Sequence, residues 1–125
     1  IASILVLKPE MILLDEPTAG QDLKHYTEIM DFLSQLNRQG VTVVLITHHM
    51  DEAAQANRVI VLNKGEVALD GSPEQVFSQV EKLHSLGLAA PETTELCYAL
   101  NEAGFSLPLD KLDIAACADA ILKGI

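Results

Sequence analysis

The stretch that decides the fold is MILLDEPT, residues 11–18. Its first four residues form an unbroken apolar run between Pro9 and Pro17, which is typical of a short strand buried on both faces in a parallel sheet. The run ends in two carboxylates, Asp15 and Glu16. In open α/β sheets, ligands bind beyond the carboxyl ends of the strands. The position of Asp15 and Glu16 therefore makes them candidates for a functional site.

A helix and a second strand are predicted to follow. Apolar residues recur at helical spacing after a loop over residues 17–21, and Gly40 supplies a stop. These apolar positions are Leu23, Tyr26, Ile29, Met30, Leu33 and Leu36. Residues 41–47 are rich in β-branched side chains and predict a strand with Thr47, His48 and His49 at its carboxyl end. Together these elements predict a βαβ unit with parallel strands, so that His48 lies at the same edge as Asp15 and Glu16.

The second half of the chain predicts a short helix near Met50, a hairpin and further helices. The hairpin consists of residues 59–62 and 67–69 around the turn Asn63-Lys64-Gly65. At residues 72–75, Ser-Pro-Glu-Gln predicts a helix start with a capping box, and its inner face comprises Val76, Phe77, Val80 and Leu83. Residues 87–91 resemble a linker. Two more amphipathic helices are predicted from Leu96, Ala99, Leu100 and Ala103, and from Ile114, Cys117, Ala118 and Ile121.

Composition excludes several classes of function. The chain has 125 residues, 49% of them apolar, which suits one globular domain with a core. Its net charge of -10 repels phosphates and anionic lipids, so no nucleic acid partner is expected. Every apolar run is shorter than the roughly 18 residues that span a bilayer, so any membrane role requires a partner. The two cysteines, Cys97 and Cys117, lack zinc-site spacing and are expected to be buried thiols.

The two carboxylates suit phosphoryl transfer. Because side chains alternate along a strand, Asp15 and Glu16 are expected to point to different sides, so that one can hold a metal and the other can address a water. Mg²⁺ takes oxygen ligands and bridges phosphates, while a second carboxylate orients or deprotonates the attacking water. The structural alternative is that both residues cap the next element. His48 can donate a hydrogen bond to a phosphate, although an isolated histidine after a strand is more often structural.

Three other histidines and one aspartate remain ambiguous. His49 competes with its neighbour His48 for the same role, because adjacent side chains cannot occupy one place. His25 and His84 lie on predicted helices and are most simply solvated surface residues. Asp22 has a functional interpretation and an equally good structural one, as the N-cap of the helix that ends near Leu36.

Two segments together carry a family resemblance. Residues 11–22 read MILLDEPTAGQD and residues 46–53 read ITHHMDEA. Their order and spacing closely resemble the Walker B, D-loop and H-loop series of ABC ATPases. Within that superfamily, the hairpin and the stretch DGSPEQVF at residues 70–77 resemble the ATP-binding subunits of energy-coupling factor transporters, which import cobalt, nickel or vitamins. The tail around Thr94 and Leu100 resembles theirs through weaker motifs.

The resemblance implies an α/β fold of the P-loop NTPase type: a partial parallel sheet with flanking helices, a hairpin and a small helical C-terminal extension. It implies a division into an ATPase part, residues 1–86, and the extension, residues 87–125. It also implies ATP and Mg²⁺ as ligands. Asp15 then helps to hold Mg²⁺, Glu16 is the catalytic base, His48 contacts the γ-phosphate, and Asp22 communicates across an ATPase dimer.

The implied partners are a second ATPase subunit, a transmembrane coupling subunit and a substrate-binding membrane component, which would place the protein at the cytoplasmic face of the membrane. Two residues depart from the family pattern and affect the dimer contacts of Asp22: Gln21 stands where leucine is usual, and Leu23 where proline is common. The phosphate-binding G-x-x-x-x-G-K-[ST] and the LSGGQ signature are both missing from residues 1–125.

The start of the chain predicts truncation. Ile1 opens directly into apolar sequence, and residues 1–10 resemble the helix end and loop that follow the signature motif. We therefore expect the C-terminal portion of a longer ATPase, poorly soluble and inactive when expressed alone. Two alternatives stay open: a soluble ABC ATPase of translation or DNA repair, and a short acidic interaction module without catalysis.

Overall fold

The computed structural model describes residues 9–124, which form two compact units divided between His48 and His49. The first unit contains strand β1 (Met11–Asp15), helix α1 (Leu23–Arg38) and strand β2 (Thr42–Ile46). The two strands are parallel, with Met11 opposite Thr42 and Asp15 opposite Ile46. The predicted βαβ unit is therefore confirmed. The apolar run and the family resemblance of residues 1–8 lie outside the described residues.

Helix α1 covers one face of this two-stranded sheet. Its inner side and the inward-facing residue of β1 form the core of the unit, which comprises Ile12, Met30, Leu33 and Leu36. The helix ends as predicted near Gly40, whose φ of +96° is a conformation that glycine adopts without a Cβ clash. Leu23 is an exception to the predicted apolar face, because it is 79% exposed in the first turn.

The other face of the sheet is apolar and exposed. Met11 and Leu13 are 60% and 62% exposed, and Val44 and Ile46 point to the same side of the parallel ladder. The expectation of strands buried on both faces is therefore wrong for residues 9–48, because α1 packs on one face only and no described element of this unit covers the second.

The second unit begins with helix α2 (Met50–Ala53) and the predicted hairpin, formed by β3 (Val59–Asn63) and β4 (Glu66–Gly71). Lys64 and Gly65 form the two-residue turn with φ values of +52° and +78°, which matches the twist of a hairpin. Asn63 pairs with Glu66 and so belongs to the strand, not to the turn as predicted. Arg58 holds the hairpin's far end through two hydrogen bonds to Asp70, at 2.6 and 2.8 Å, and lowers the pKa of that carboxyl.

The capping box at residues 72–75 is present as predicted. Ser72 Oγ accepts from the Gln75 amide, and Gln75 Oε1 accepts from the Ser72 amide at 3.0 Å. The helix it starts, α3 (Pro73–Phe77), stops after five residues, and α4 (Val80–Ser85) follows. The single predicted helix is thus two, but its predicted inner residues are all buried: Val76, Phe77, Val80 and Leu83.

Two helices complete the unit, α5 (Glu92–Glu102) and α6 (Ile114–Gly124). Their predicted inner faces are only partly right. Leu96 is 49% and Ile114 is 80% exposed, whereas Thr94, Cys97 and Cys117 are buried. The core around the hairpin also contains Ala90, Tyr98 and Leu112, so residues on both sides of the predicted division at residues 86 and 87 share one core. That division remains a prediction.

Candidate functional site

The candidate site lies at the carboxyl edge of the two parallel strands, within the first unit. Asp15 and Ile46 are the last paired residues of β1 and β2. The Glu16 amide donates to the Ile46 carbonyl at 2.8 Å, so hydrogen bonding between the two segments continues one residue beyond β1. The sheet therefore brings the residues after β1 and those after β2 to the same edge, as the sequence predicts.

Glu16 and His48 are in contact at this edge. Glu16 Oε1 lies 2.6 Å from His48 Nδ1, although 32 positions separate the two residues in sequence. The Glu16 side chain is 27% exposed and that of His48 is 73% exposed. A carboxylate can only accept hydrogen bonds, so this contact requires a proton on Nδ1 when Glu16 is ionised. The contact therefore orients the Glu16 carboxylate through Nδ1 of His48.

Glu16 has an unusual backbone conformation. Its φ of +51° lies in the left-handed region, which a side chain with a Cβ disfavours by about 1 kcal/mol or more. The chain turns sharply here, since the Ala19 amide donates to the Glu16 carbonyl at 3.1 Å. The alternation of side chains along a strand therefore does not determine where Glu16 points, contrary to the sequence argument. The turn that follows β1 sets its direction instead.

Asp15 stands at the end of β1 with an exposed side chain. Within residues 9–124 its carboxylate has no hydrogen-bond or ion-pair partner. An exposed carboxylate at a strand end offers the oxygen ligand that Mg²⁺ prefers, and Mg²⁺ completes its octahedron mostly with water and phosphate oxygens. The donor chemistry of Asp15 therefore fits a hard divalent cation, while the neighbouring Glu16 is held by a histidine.

Asp22 is the N-cap of α1, as the structural alternative predicts. Its Oδ1 accepts from the His25 amide at 2.9 Å and also lies 2.8 Å from His25 Nδ1. Both contacts use the same oxygen, and within residues 9–124 Oδ2 has no partner. Sequence reasoning treated His25 as a plain surface residue and missed this contact. The spacing of three residues from an N-cap aspartate is the signal that would have indicated it.

The remaining candidate residues have contacts of their own. His49 occupies the N-cap position of α2, and its carbonyl accepts from the amides of Glu52 and Ala53. His84 is partly exposed, as predicted, but its Nε2 lies 2.8 Å from Glu95 Oε1, so it links α4 to α5. In the turn after Glu16, Thr18 is buried, and the Gln21 amide donates to its carbonyl at 3.1 Å.

The fold of this chain resembles the folds of solved ABC ATPase structures. One is the structure of cbiO1 from Clostridium perfringens, titled as part of the ABC transporter complex cbiONQ; the match has a TM-score of 0.59 and 31% identity and covers 80% of this chain and 39% of that one. Another is an ATP-binding cassette in a dimeric post-hydrolysis state bound to ADP and Pi. That match has a TM-score of 0.54 and 39% identity, and it covers 57% of this chain and 31% of the cassette chain. The fold is that of the ABC ATPases, an α/β fold of the P-loop NTPase type.

Curated proteins define the family more narrowly. The chain is 46% identical to the energy-coupling factor transporter ATP-binding protein EcfA1 of Clostridium perfringens over 98% of its length and 44% of that protein. The chain is also 42% identical to the energy-coupling factor transporter ATP-binding protein EcfA2 of Streptococcus agalactiae. That match covers 99% of this chain and 45% of the relative. No family model matches the chain. The chain belongs with the ATP-binding proteins of energy-coupling factor transporters, and it spans less than half the length of these relatives.

None of the helices formed by residues 9–124 has both the length and the apolar character that crossing a bilayer requires.

Proposed function

We propose that this chain supplies the Mg²⁺ and water half of the ATP site in the ATP-hydrolysing subunit of an energy-coupling factor importer. The observation that carries the proposal is the contact between Glu16 and His48 at the carboxyl edge of two parallel strands. A structural cap would not need an acidic side chain in a strained conformation, oriented by a histidine 32 residues away. A catalytic base does need such orientation.

Asp15 is the residue that would hold Mg²⁺. It is exposed at the strand end and carries no competing contact within residues 9–124. When bound there, Mg²⁺ would supply neutralisation of the negative charge on the phosphates of ATP. The phosphate-binding loop that completes such a site has no counterpart in residues 1–125, so the complete protein must provide it elsewhere.

Glu16 acts as the general base toward the attacking water. Its carboxylate is more than half enclosed and fixed in direction by the left-handed turn and by His48. A water held by this carboxylate is placed at the sheet edge, beyond the strand ends, where the γ-phosphate of ATP would lie in a doubly wound fold. Proton transfer to a positioned carboxylate typically contributes a factor of about 10² to 10⁴ in rate.

His48 positions Glu16 and contacts the γ-phosphate. Nδ1 contacts Glu16, and the other ring nitrogen, Nε2, is the one proposed to contact the phosphate. Nε2 donates a hydrogen bond only when it also carries a proton, so the imidazolium form makes both contacts at once. His48 is therefore proposed as the link between the base and the terminal phosphate, and its neighbour His49 is assigned no role in the chemistry.

Asp22 is proposed to serve two purposes. Oδ1 caps α1 and so fixes the start of the helix, whereas Oδ2 remains for a contact with the second ATPase subunit. The membrane partners of the proposal are a transmembrane coupling subunit and a component that binds a metal ion or a vitamin. In this proposal the ATPase sits peripherally, beside these partners, at the cytoplasmic face of the membrane.

The test replaces Glu16 in the complete protein. Glu16→Gln keeps size and hydrogen-bonding capacity but removes the base, so ATP turnover is expected to fall at least about 100-fold while ATP binding persists. The matched control is Glu28→Gln, the same chemical change at an exposed position of α1, which should leave turnover unchanged. Turnover by Glu16→Gln at the rate of the control would contradict the assignment of the base. Co-purification of the unaltered protein with a membrane protein separates an importer from a soluble ABC ATPase.

A further inference from the structure

Two thiols meet in the core of the helical tail, far along the chain from the residues proposed for ATP hydrolysis. Cys97 on α5 and Cys117 on α6 are both buried, and their sulfur atoms lie 3.5 Å apart. Around them pack apolar side chains from the same part of the tail: Leu100, Leu107, Leu109 and Ile121. Both cysteines are present as free thiols. The two sulfurs are therefore each other's nearest reactive partners in an apolar environment.

The Sγ atoms of Cys97 and Cys117 are close enough to form a disulfide after a small movement. A disulfide has a sulfur–sulfur bond of about 2.05 Å, so the sulfurs must approach each other by about 1.5 Å. They project from two different helices that pack together, and a small rotation of each side chain moves the sulfurs without separating α5 from α6. Twenty residues separate the two cysteines, so a bond between them would close a loop that contains the connection between the helices.

We propose that Cys97 and Cys117 form a modification site at which a hydroperoxide produces an intrachain disulfide between α5 and α6. This inference goes beyond the proposed ATPase function and does not depend on it. Its consequence is a tail whose two helices are locked together under oxidising conditions, since a disulfide restricts the unfolded chain and thereby stabilises the folded one.

The chemistry balances with hydrogen peroxide as the oxidant. The thiolate sulfur of one cysteine attacks a peroxide oxygen, the oxygen–oxygen bond breaks, and a sulfenic acid and one water result. The sulfur of the second cysteine then attacks the first sulfur, the sulfur–oxygen bond breaks, and hydroxide leaves and takes up the thiol proton as a second water. Two thiols lose two electrons and two protons, and one peroxide is reduced to two waters.

Burial should make this reaction slow and strongly dependent on pH. Burial and, to a smaller extent, the neighbouring Cys117 together raise the pKa of the Cys97 thiol to about 11. Because the thiolate is the attacking species, it is scarce near neutral pH and becomes more abundant as the pH rises. Disulfide formation should therefore accelerate with increasing pH and resist brief exposure to oxidant.

The experiment uses the complete protein, treated with hydrogen peroxide, denatured, alkylated at its remaining thiols and digested with trypsin. Cleavage after Lys82, Lys111 and Lys123 places the two cysteines on different peptides, residues 83–111 and 112–123. We expect these two peptides to be joined, with a mass about 2 Da below their sum, and to separate on reduction. The oxidised protein should also melt at a higher temperature than the same sample after reduction.

Single-cysteine variants supply the matched control. Cys97→Ser and Cys117→Ser each remove one partner, so the joined peptides and the reduction-sensitive rise in melting temperature should both disappear. The peptide map of the unaltered protein decides the question even if a variant fails to fold. Separate alkylated peptides after prolonged oxidation at raised pH would overturn the proposal, and so would sulfinic acids on both cysteines or a bond to any other cysteine.

Discussion

The two units of the chain bury their apolar surface very differently. In residues 9–48, one helix covers one face of a two-stranded sheet, and Met11 and Leu13 on the other face are more than half exposed. In residues 49–124, a hairpin and several helices enclose a core whose central residues, Phe77 and Leu83, are almost completely buried. All four proposed site residues belong to the first unit. The part of the chain proposed to carry the chemistry is thus the part with the less complete core.

The candidate site therefore depends on structure beyond the two described strands. A two-stranded sheet with a single helix is marginal by itself, because it buries little apolar area relative to its size. The second unit has the elements that make a small domain self-sufficient, including a closed core and a capped helix. The first unit therefore leaves one face of its small sheet uncovered within residues 9–48. The second unit encloses a core of its own, although Ile60, Leu62 and Val67 of its hairpin are also exposed.

The largest effect is expected when the two units are expressed separately. Residues 49–125 should unfold cooperatively on heating, since their core is made within the unit. Residues 1–48 alone should show no cooperative transition and should bind a hydrophobic dye. Circular dichroism and dye fluorescence measured during heating distinguish the two. Cooperative unfolding of residues 1–48 would contradict the conclusion that the first unit is marginal by itself.

An intermediate effect is expected at two neighbouring positions of β1. Ile12 is 4% exposed and faces α1, whereas Leu13 is 62% exposed on the open face. In the chain of residues 1–125, Ile12→Ala should lower the free energy of unfolding of the first unit by about 2 kcal/mol, the low end for such a change, because that unit is only marginally stable. Leu13→Ala should change it by no more than about 0.5 kcal/mol and should improve solubility. Urea denaturation measures both, and equal losses would mean that both faces are covered.

The smallest effect on stability is expected from removing one helix N-cap in each unit. Asp22→Ala and Ser72→Ala each remove an N-cap, and each should cost about 1 kcal/mol in urea denaturation. Asp22→Asn is the sharper variant, because asparagine also caps helices well and so retains the stability. In the complete protein, loss of ATP turnover in Asp22→Asn with normal stability would support a role at the dimer contact. Full turnover in Asp22→Asn would mean that Asp22 serves only as the N-cap of α1.

Local signals predicted most of the secondary structure. The capping box at residues 72–75, the hairpin turn and the βαβ unit all depend on residues close in sequence, and the structure confirms them. The sequence patterns gave wrong predictions where tertiary contacts determine the helix ends and the buried faces. The predicted single helix breaks after Phe77, and Leu96 and Ile114 face outward because Cys97 and Cys117 turn the inner faces of their helices toward each other.

For the site, the sequence predicted the edge of the sheet but not the geometry there. Parallel strands necessarily bring Glu16 and His48 to one edge, so their proximity was predictable. The left-handed conformation of Glu16 was not, because nothing in the residues 15–18 requires a positive φ at a glutamate. The contact of His25 with Asp22 was also missed, since a surface histidine carries no apolar pattern.

The central claim is that Glu16 and His48 act as one catalytic unit, and a double-mutant cycle tests it most directly. ATP turnover is measured in the complete protein for Glu16→Gln, His48→Gln and the double variant. Our account predicts that each single change lowers turnover strongly and that the double variant is about as slow as Glu16→Gln, because residues that act together give non-additive losses. Losses that multiply in the double variant would show that the two residues act independently and would contradict the account.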